Sequence, residues 1–97
     1  MPHYIVLGNW TDQGIRNVKE SPKRVDTAQA LLNKLGGTME IFFTLGEYDF
    51  VALAEAPNDE VVTQLALEIG RAGNVRTKTL KAFSVAEATK IISKLSP

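Results

Sequence analysis

The strongest constraint on the fold is a pair of β-rich segments that lie next to each other in the middle of the chain. Residues 38–45 and 48–55 carry strand-favouring side chains, and only Gly46 and Glu47 separate them. Such spacing predicts a tight antiparallel hairpin in which Gly46 occupies a turn position of positive φ. Any arrangement of the other segments must leave these two strands paired.

One strand pattern and one helical region lie on each side of this hairpin. Residues 3–10 predict the first strand, and residues 11–35 predict two helical pieces divided at Ser21-Pro22. Another helix follows the hairpin, residues 74–83 predict a fourth strand, and Ser84–Glu87 matches the capping box of a terminal helix. The order β-α-β-β-α-β-α predicts a ferredoxin-like α+β fold, with a four-stranded antiparallel sheet and an additional C-terminal helix.

The strands are apolar on both faces of the predicted sheet. In the first strand Ile5 and Leu7 point away from Tyr4 and Val6, so neither face is polar. Two helices cover one face only, and the second face must be covered by the terminal helix, by another copy of the chain, or by both. The pattern therefore predicts an oligomer formed through the sheet.

Composition limits the classes of function. A chain of 97 residues has the size of one domain, so residues 1–97 are expected to share a single core. Eleven basic and eleven acidic residues give no net charge, which disfavours nucleic acid and membrane partners. No cysteine and one histidine are present, so we expect no metal and no cofactor. Because no signal peptide or membrane span is evident, we expect a cytoplasmic protein.

Four segments carry a family likeness that spans nearly the whole chain: residues 4–16, 21–24, 45–49 and 73–77. In the third of them, Gly46, Tyr48 and Asp49 match the motif that gives the family its name. In these segments the chain resembles the GYD-domain family of small prokaryotic proteins. The resemblance implies a ferredoxin-like domain that dimerises sheet to sheet into an α+β barrel. It implies no established activity and supplies no catalytic residue.

Aromatic strand residues are the candidate lining of a ligand pocket. The function predicted first is a homo-oligomeric small-molecule-binding protein of unknown ligand, with its pocket on the non-helical face of the sheet. The predicted ligand-binding residues are Tyr4, Trp10, Phe42, Tyr48 and Phe50, with Asp49 as a polar contact.

Two alternatives stay open at this point. A cofactor-free enzyme of the α+β-barrel type, such as an oxygenase, isomerase or cyclase, would use Asp49 or His3 with Tyr48. A purely structural assembly module would need no pocket. Ordinary turn chemistry also explains the motif, because the aspartate can satisfy turn amides while the tyrosine packs on the strand.

Overall fold

The protein folds as a four-stranded antiparallel sheet with its two longer helices on one face. The computed structural model describes residues 1–97, and the strand order is β2-β3-β1-β4. The elements are β1 (His3–Trp10), α1 (Asp12–Arg16), a 3-10 turn (Val18–Glu20), α2 (Ser21–Lys34), β2 (Thr38–Phe43), β3 (Phe50–Glu55), α3 (Asp59–Arg71), β4 (Val75–Ala82) and α4 (Val85–Ile92). The predicted α+β class and antiparallel sheet are confirmed.

Side-chain caps start three of the four helices, and α2 is the exception because Glu20, which precedes it, makes no capping hydrogen bond. Thr11 caps α1 by accepting from the Gly14 N–H, and its hydroxyl also donates to the Gly73 carbonyl, 2.6 Å away. Asn58 caps α3 through the Val61 N–H. The Ser84–Glu87 capping box at α4 is confirmed, with both reciprocal hydrogen bonds formed. Satisfied first-turn amides therefore fix where each of these helices begins.

The connection between β2 and β3 is longer than the tight turn that the sequence predicts. Residues 44–49 form a six-residue loop, closed by a hydrogen bond from the Thr44 N–H to the Asp49 carbonyl. The two-residue turn is wrong because Asp49 pairs with β1 instead: its N–H donates to the Gly8 carbonyl at 2.9 Å. The prediction for Gly46 is confirmed, since its φ is 124°.

The core lies between the sheet and the helices α2 and α3. Tyr4, Ala52 and Ala54 face the helices and are buried against Leu32 and Leu65, among other residues. Tyr4 and Ala54 belong to one buried cluster with residues of both helices, as a two-layer domain requires.

The other side of the sheet is uncovered within one chain. Six apolar side chains, here called the open face, form a continuous patch on it: Ile5, Leu7, Phe42, Val51, Leu53 and Leu80. Three of them, Phe42, Leu53 and Leu80, are 48%, 47% and 50% exposed.

The terminal helix α4 does not cover the open face. No α4 residue is buried, and its apolar residues Val85 and Ile92 are largely exposed. The chain is correspondingly elongated, with a longest dimension of 54 Å and a radius of gyration of 15.0 Å, against about 13 Å for a compact chain of 100 residues. The sequence allows this face to be covered by the terminal helix, by another copy of the chain, or by both. In the structure the terminal helix does not cover it.

Two glycines should differ in how strongly the fold depends on them. At Gly14 a β-carbon would lie 1.8 Å from the Asn74 carbonyl oxygen, whereas at Gly46 nothing lies within 4 Å and only the positive φ opposes a side chain. We expect Gly46→Ala to lower the free energy of unfolding by about 1–2 kcal/mol. Gly14→Ala should lower it by about 3 kcal/mol, because α1 must separate from the start of β4. Urea denaturation measures both, and equal losses would contradict the steric explanation.

Candidate functional site

A cavity of about 330 Å³ lies between the sheet and the helices α2 and α3. Fourteen of its twenty lining residues are hydrophobic: Val6, Trp10, Val25, Ala28, Leu31, Met39, Ile41, Phe43, Phe50, Ala52, Leu65, Ile69, Ala72 and Val75. The alanines explain the space, because Ala28 on α2 and Ala52 on β3 leave room that larger side chains would fill. Its volume falls within the range of small-molecule sites, about 300–1,000 Å³.

Aromatic rings line one side of this cavity. Trp10 at the end of β1 stacks on Phe43 of β2, with ring centroids 6.1 Å apart and planes inclined by 19°. The ring of Phe50 lies directly over Gly8, where a β-carbon would come within 2.0 Å of the ring. Because Gly8 has no side chain, it leaves room for the Phe50 ring. Phe50 belongs to β3, which lies between the strands of Trp10 and Phe43. Such flat apolar surfaces suit an aromatic or aliphatic ligand.

One cationic side chain lines the same cavity. Arg24 of α2 is half-buried, and its guanidinium is held by neutral acceptors only. Its Nη1 donates to the Asn17 carbonyl at 3.2 Å, and its Nη2 donates to the Gly14 carbonyl and to the buried Ser21 hydroxyl, 3.4 and 3.0 Å away. These contacts fix the position of the charge without neutralising it.

The structure divides the six predicted ligand-binding residues among different places. Trp10 and Phe50 line the cavity, which lies on the helical side of the sheet. Phe42 lies on the open face. Tyr4 belongs to the helical face but is 3% exposed and part of the core. The register between β2 and β3 explains this division, because Phe43 pairs with Phe50 on the helical side while Phe42 pairs with Val51 on the other side.

The predicted residues Tyr48 and Asp49 both lie in the loop before β3. The Asp49 carboxylate accepts from the Trp10 backbone N–H at 2.9 Å and from the Asn9 side chain at 3.4 Å. The Tyr48 ring faces the Lys78 ammonium, which lies 5.8 Å from its centroid. The Asp49 carboxylate thus accepts from a backbone amide of β1 rather than from amides of its own turn, and it braces the wall residue Trp10.

A second hollow, of about 460 Å³, lies at the opposite end of the sheet, where α4 begins. Its lining includes Ile5, Leu53 and Phe83, together with the carboxylates of Glu40 and Glu55. Tyr4 is the one predicted ligand-binding residue along it. With twelve lining residues and fewer apolar ones, it encloses a ligand less well than the cavity beneath the helices.

His3 lies far from the Tyr48–Asp49 pair. Its Nδ1 is 3.1 Å from the Glu87 carboxylate, and its Nε2 is 3.4 Å from Glu55. Asn9, which contacts Asp49, is six residues along the same strand, or about 20 Å away at the usual rise per residue. His3 and the motif residues are therefore not gathered into one site. No group of three or more histidine, aspartate or glutamate side chains is arranged to hold a metal ion.

A polar contact that the sequence does not reveal holds Tyr4 in the core. The Tyr4 hydroxyl donates to Asp59 Oδ1 at 2.5 Å, and Lys81 Nζ lies 3.1 Å from the same oxygen. The hydrogen bond from Tyr4, followed by the one from Lys81, lowers the pKa of Asp59 below its ordinary value. The same bond raises the pKa of Tyr4 to about 12. The three residues come from β1, α3 and β4, so no short-range sequence pattern predicts that they contact one another.

Fold and cavity together define a small α+β domain with helices on one sheet face, an apolar cavity beneath them and an exposed apolar patch on the other face. The chain belongs to the GYD domain family, whose model matches residues 4–92, and this confirms the resemblance. A relative from Thermus thermophilus, the "Glutamine synthetase and cystathionine beta-lyase binding protein", is 34% identical over 89 residues. That match covers 90% of this chain and 94% of the relative.

Two solved structures share the fold at low sequence identity. The crystal structure of TTHA0845 from Thermus thermophilus is 24% identical, with a TM-score of 0.55, and the match covers 88% of this chain and 96% of that one. The structure of At3g17210 from Arabidopsis thaliana is 13% identical, with a TM-score of 0.53 over 88% of this chain and 98% of that one. None of the helices in the chain is both long and apolar enough to cross a membrane.

The Tyr4–Asp59 hydrogen bond should make stability depend on pH at both extremes. The lowered pKa of Asp59 stabilises the fold above its ordinary value of 3.8, and this contribution is lost as the pH falls through the folded-state pKa. The raised pKa of Tyr4 stabilises the fold below 10.0, and this contribution is lost as the pH rises towards 12. We therefore expect Tyr4→Phe to lower Tm most near neutral pH, with the difference from the native protein shrinking in acid and in alkali.

Thermal unfolding followed by circular dichroism across the pH range measures this difference. The matched control is Tyr48→Phe, because Tyr48 makes its contacts through its carbonyl and ring rather than its hydroxyl. A Tm difference for Tyr4→Phe that stays constant with pH would contradict the ionic character of the bond.

Proposed function

We propose that this chain is a homo-oligomeric small-molecule-binding protein of the ferredoxin-like α+β-barrel type, and that its ligand occupies the cavity between the helices and the sheet rather than the non-helical face that the sequence predicts. The observation that carries the proposal is the cavity itself: about 330 Å³, lined mainly by apolar side chains from both layers. Close packing normally fills the space between two layers, so an apolar cavity of this size favours an occupant.

An apolar occupant suits the lining. Burial of apolar surface gives about 25 cal/mol per Å², and the stacked rings of Trp10 and Phe43 offer a flat surface for it. The catalytic alternative has less support, because Asp49 is engaged with backbone and amide donors and His3 lies at the other end of β1. Neither group faces the cavity as a base would need to.

Self-association through the open face is the second part of the proposal. Phe42, Leu53 and Leu80 are each about half exposed there, and neither α4 nor another segment of the chain covers them. The charges flanking the patch are self-complementary: Glu40 lies at one corner on β2, and Lys78 lies at the diagonal corner on β4. Two copies that pack face to face around a two-fold axis can pair these charges while burying the patch, which supports a second copy as the occupant.

A second candidate function is binding to other proteins. The name of the Thermus relative states binding to glutamine synthetase and cystathionine beta-lyase. Co-elution of this chain with either enzyme on size exclusion, at micromolar concentrations, would support the candidate. Separate elution from both enzymes would count against it.

Filling the cavity should weaken ligand binding without unfolding the protein. Trp10 is the one tryptophan in the chain and lines the cavity, so its fluorescence reports occupancy. With octanol as a neutral apolar probe, Ala28→Phe should weaken binding by about tenfold or more, since the new ring takes the probe's place. Ala30→Phe is the matched control, because Ala30 lies on the same helix, is exposed and does not line the cavity. Octanol that binds Ala28→Phe as it binds the native chain would contradict the site.

A charge on the open face should dissociate the oligomer. We expect light scattering to give the native protein a mass of at least twice 10.6 kDa at micromolar concentration, and Leu53→Glu to be monomeric because a carboxylate is costly to bury in the patch. Leu67→Glu places the same charge on a leucine of α3 that is 67% exposed and lies off the open face. This control should remain oligomeric. A monomeric native protein, or equal dissociation by both changes, would contradict pairing through this face.

A further inference from the structure

The cavity combines an apolar lining with one fixed positive charge. Arg24 lines it and is held in place through hydrogen bonds to the carbonyls of Gly14 and Asn17 and to the Ser21 hydroxyl. Three of the five guanidinium N–H groups are used in this way. The other two have no hydrogen-bond acceptor within the chain.

Arg24 has no acidic partner in the chain. The ion pairs of the protein involve His3, Arg71 and Lys81, and none of them includes Arg24. A half-buried arginine surrounded by neutral acceptors keeps its whole charge in a region less polar than water, where an anion is attracted more strongly than at an open surface. The positive end of the α2 helix, which begins at Ser21 on the same cavity wall, adds to this attraction.

We infer that the ligand of the cavity is an amphipathic monocarboxylate, whose acid group binds Arg24 while its apolar body lies against Trp10 and Phe43. This inference rests on the proposed function, because it names the chemical class of ligand for the same cavity. Charge-assisted hydrogen bonds from a guanidinium to a carboxylate are among the strongest polar contacts in proteins, and one of them suffices to orient an apolar molecule.

A single negative charge fits the cavity better than a phosphate does. Glu68 also lines it, and its carboxylate is paired with Arg71 Nε at 3.1 Å. A doubly charged phosphate would meet stronger repulsion from Glu68 and would offer more acceptors than Arg24 has free donors. A carboxylate needs only the donors that Arg24 leaves open.

The test compares two probes that share an apolar chain, octanoate and octanol, by titration of Trp10 fluorescence at neutral pH and low salt. Octanol is the more hydrophobic molecule, so an apolar pocket without charge recognition binds it at least as well as octanoate. We expect the native protein to bind octanoate about tenfold more tightly than octanol. We also expect added salt to reduce this preference, because screening weakens the ionic contact.

Variants assign the preference to Arg24. Arg24→Gln should lose the preference for octanoate over octanol, whereas Arg24→Lys should keep much of it. Lys23→Gln is the matched control, since it removes the same charge from the adjacent, exposed position outside the cavity. If Arg24→Gln does not fold, the salt dependence of the native protein decides between the outcomes.

Two results would overturn the inference and leave the apolar site standing: equal affinity of the native protein for octanoate and octanol, or a preference that Arg24→Gln retains. Failure of both probes to bind the native protein would overturn the proposed small-molecule site itself. The two failures are therefore distinguishable in one set of titrations.

Discussion

The structure depends on the central strand β1, which is apolar on both sides. It pairs with β3 along one edge and with β4 along the other, so every other element is placed relative to it. The side chains of Tyr4 and Val6 lie in the core beneath the helices, while those of Ile5 and Leu7 lie on the open face. Full burial of such an aliphatic side chain is worth about 1.5–3 kcal/mol. A single chain buries the β1 side chains fully on the helical side only, and Ile5 and Leu7 on the open face stay partly exposed.

The cavity follows from how the helical layer meets that strand. Ala28 and Ala52 are too small to fill the space between α2 and the sheet. The rings of Trp10, Phe43 and Phe50 line the aromatic end of this space. Lining atoms without neighbours on one side lose dispersion contacts. A molecule that binds the folded state and restores those contacts stabilises it by mass action. The same small residues thus weaken the empty protein and make room for a ligand.

The sequence predicts the element order and the helix starts well because both depend on local patterns. Thr11, Asn58 and Ser84 cap helices through residues only three positions away, and Gly46 needs only its own backbone freedom. The length of the β2–β3 loop is different, because it is set by the contact of Asp49 with β1, about forty positions distant in the chain.

The site could be predicted only in part, for a related reason. The sequence shows that strand side chains alternate, but it does not show the register that places Phe43, rather than Phe42, beside Phe50. It does not show that space remains between α2, α3 and the sheet, since that depends on how far apart three non-adjacent elements pack. The proposed role of Arg24 could not be predicted from the sequence either. A charged residue on a helix is expected to face solvent, and only the structure shows the cavity beside it.

The residues of the family motif link the two sides of the sheet mechanically. Tyr48 lies towards the open face, over Lys78, and the next residue, Asp49, holds the backbone of Trp10 at the cavity wall. A copy of the chain pressed on one side and a ligand seated on the other would act on adjacent residues of one short loop. Thermodynamic linkage is reciprocal, so whatever a ligand does to the strength of pairing, pairing does in equal measure to the affinity for the ligand. Under the proposed function, ligand affinity and subunit pairing would therefore be coupled through this loop.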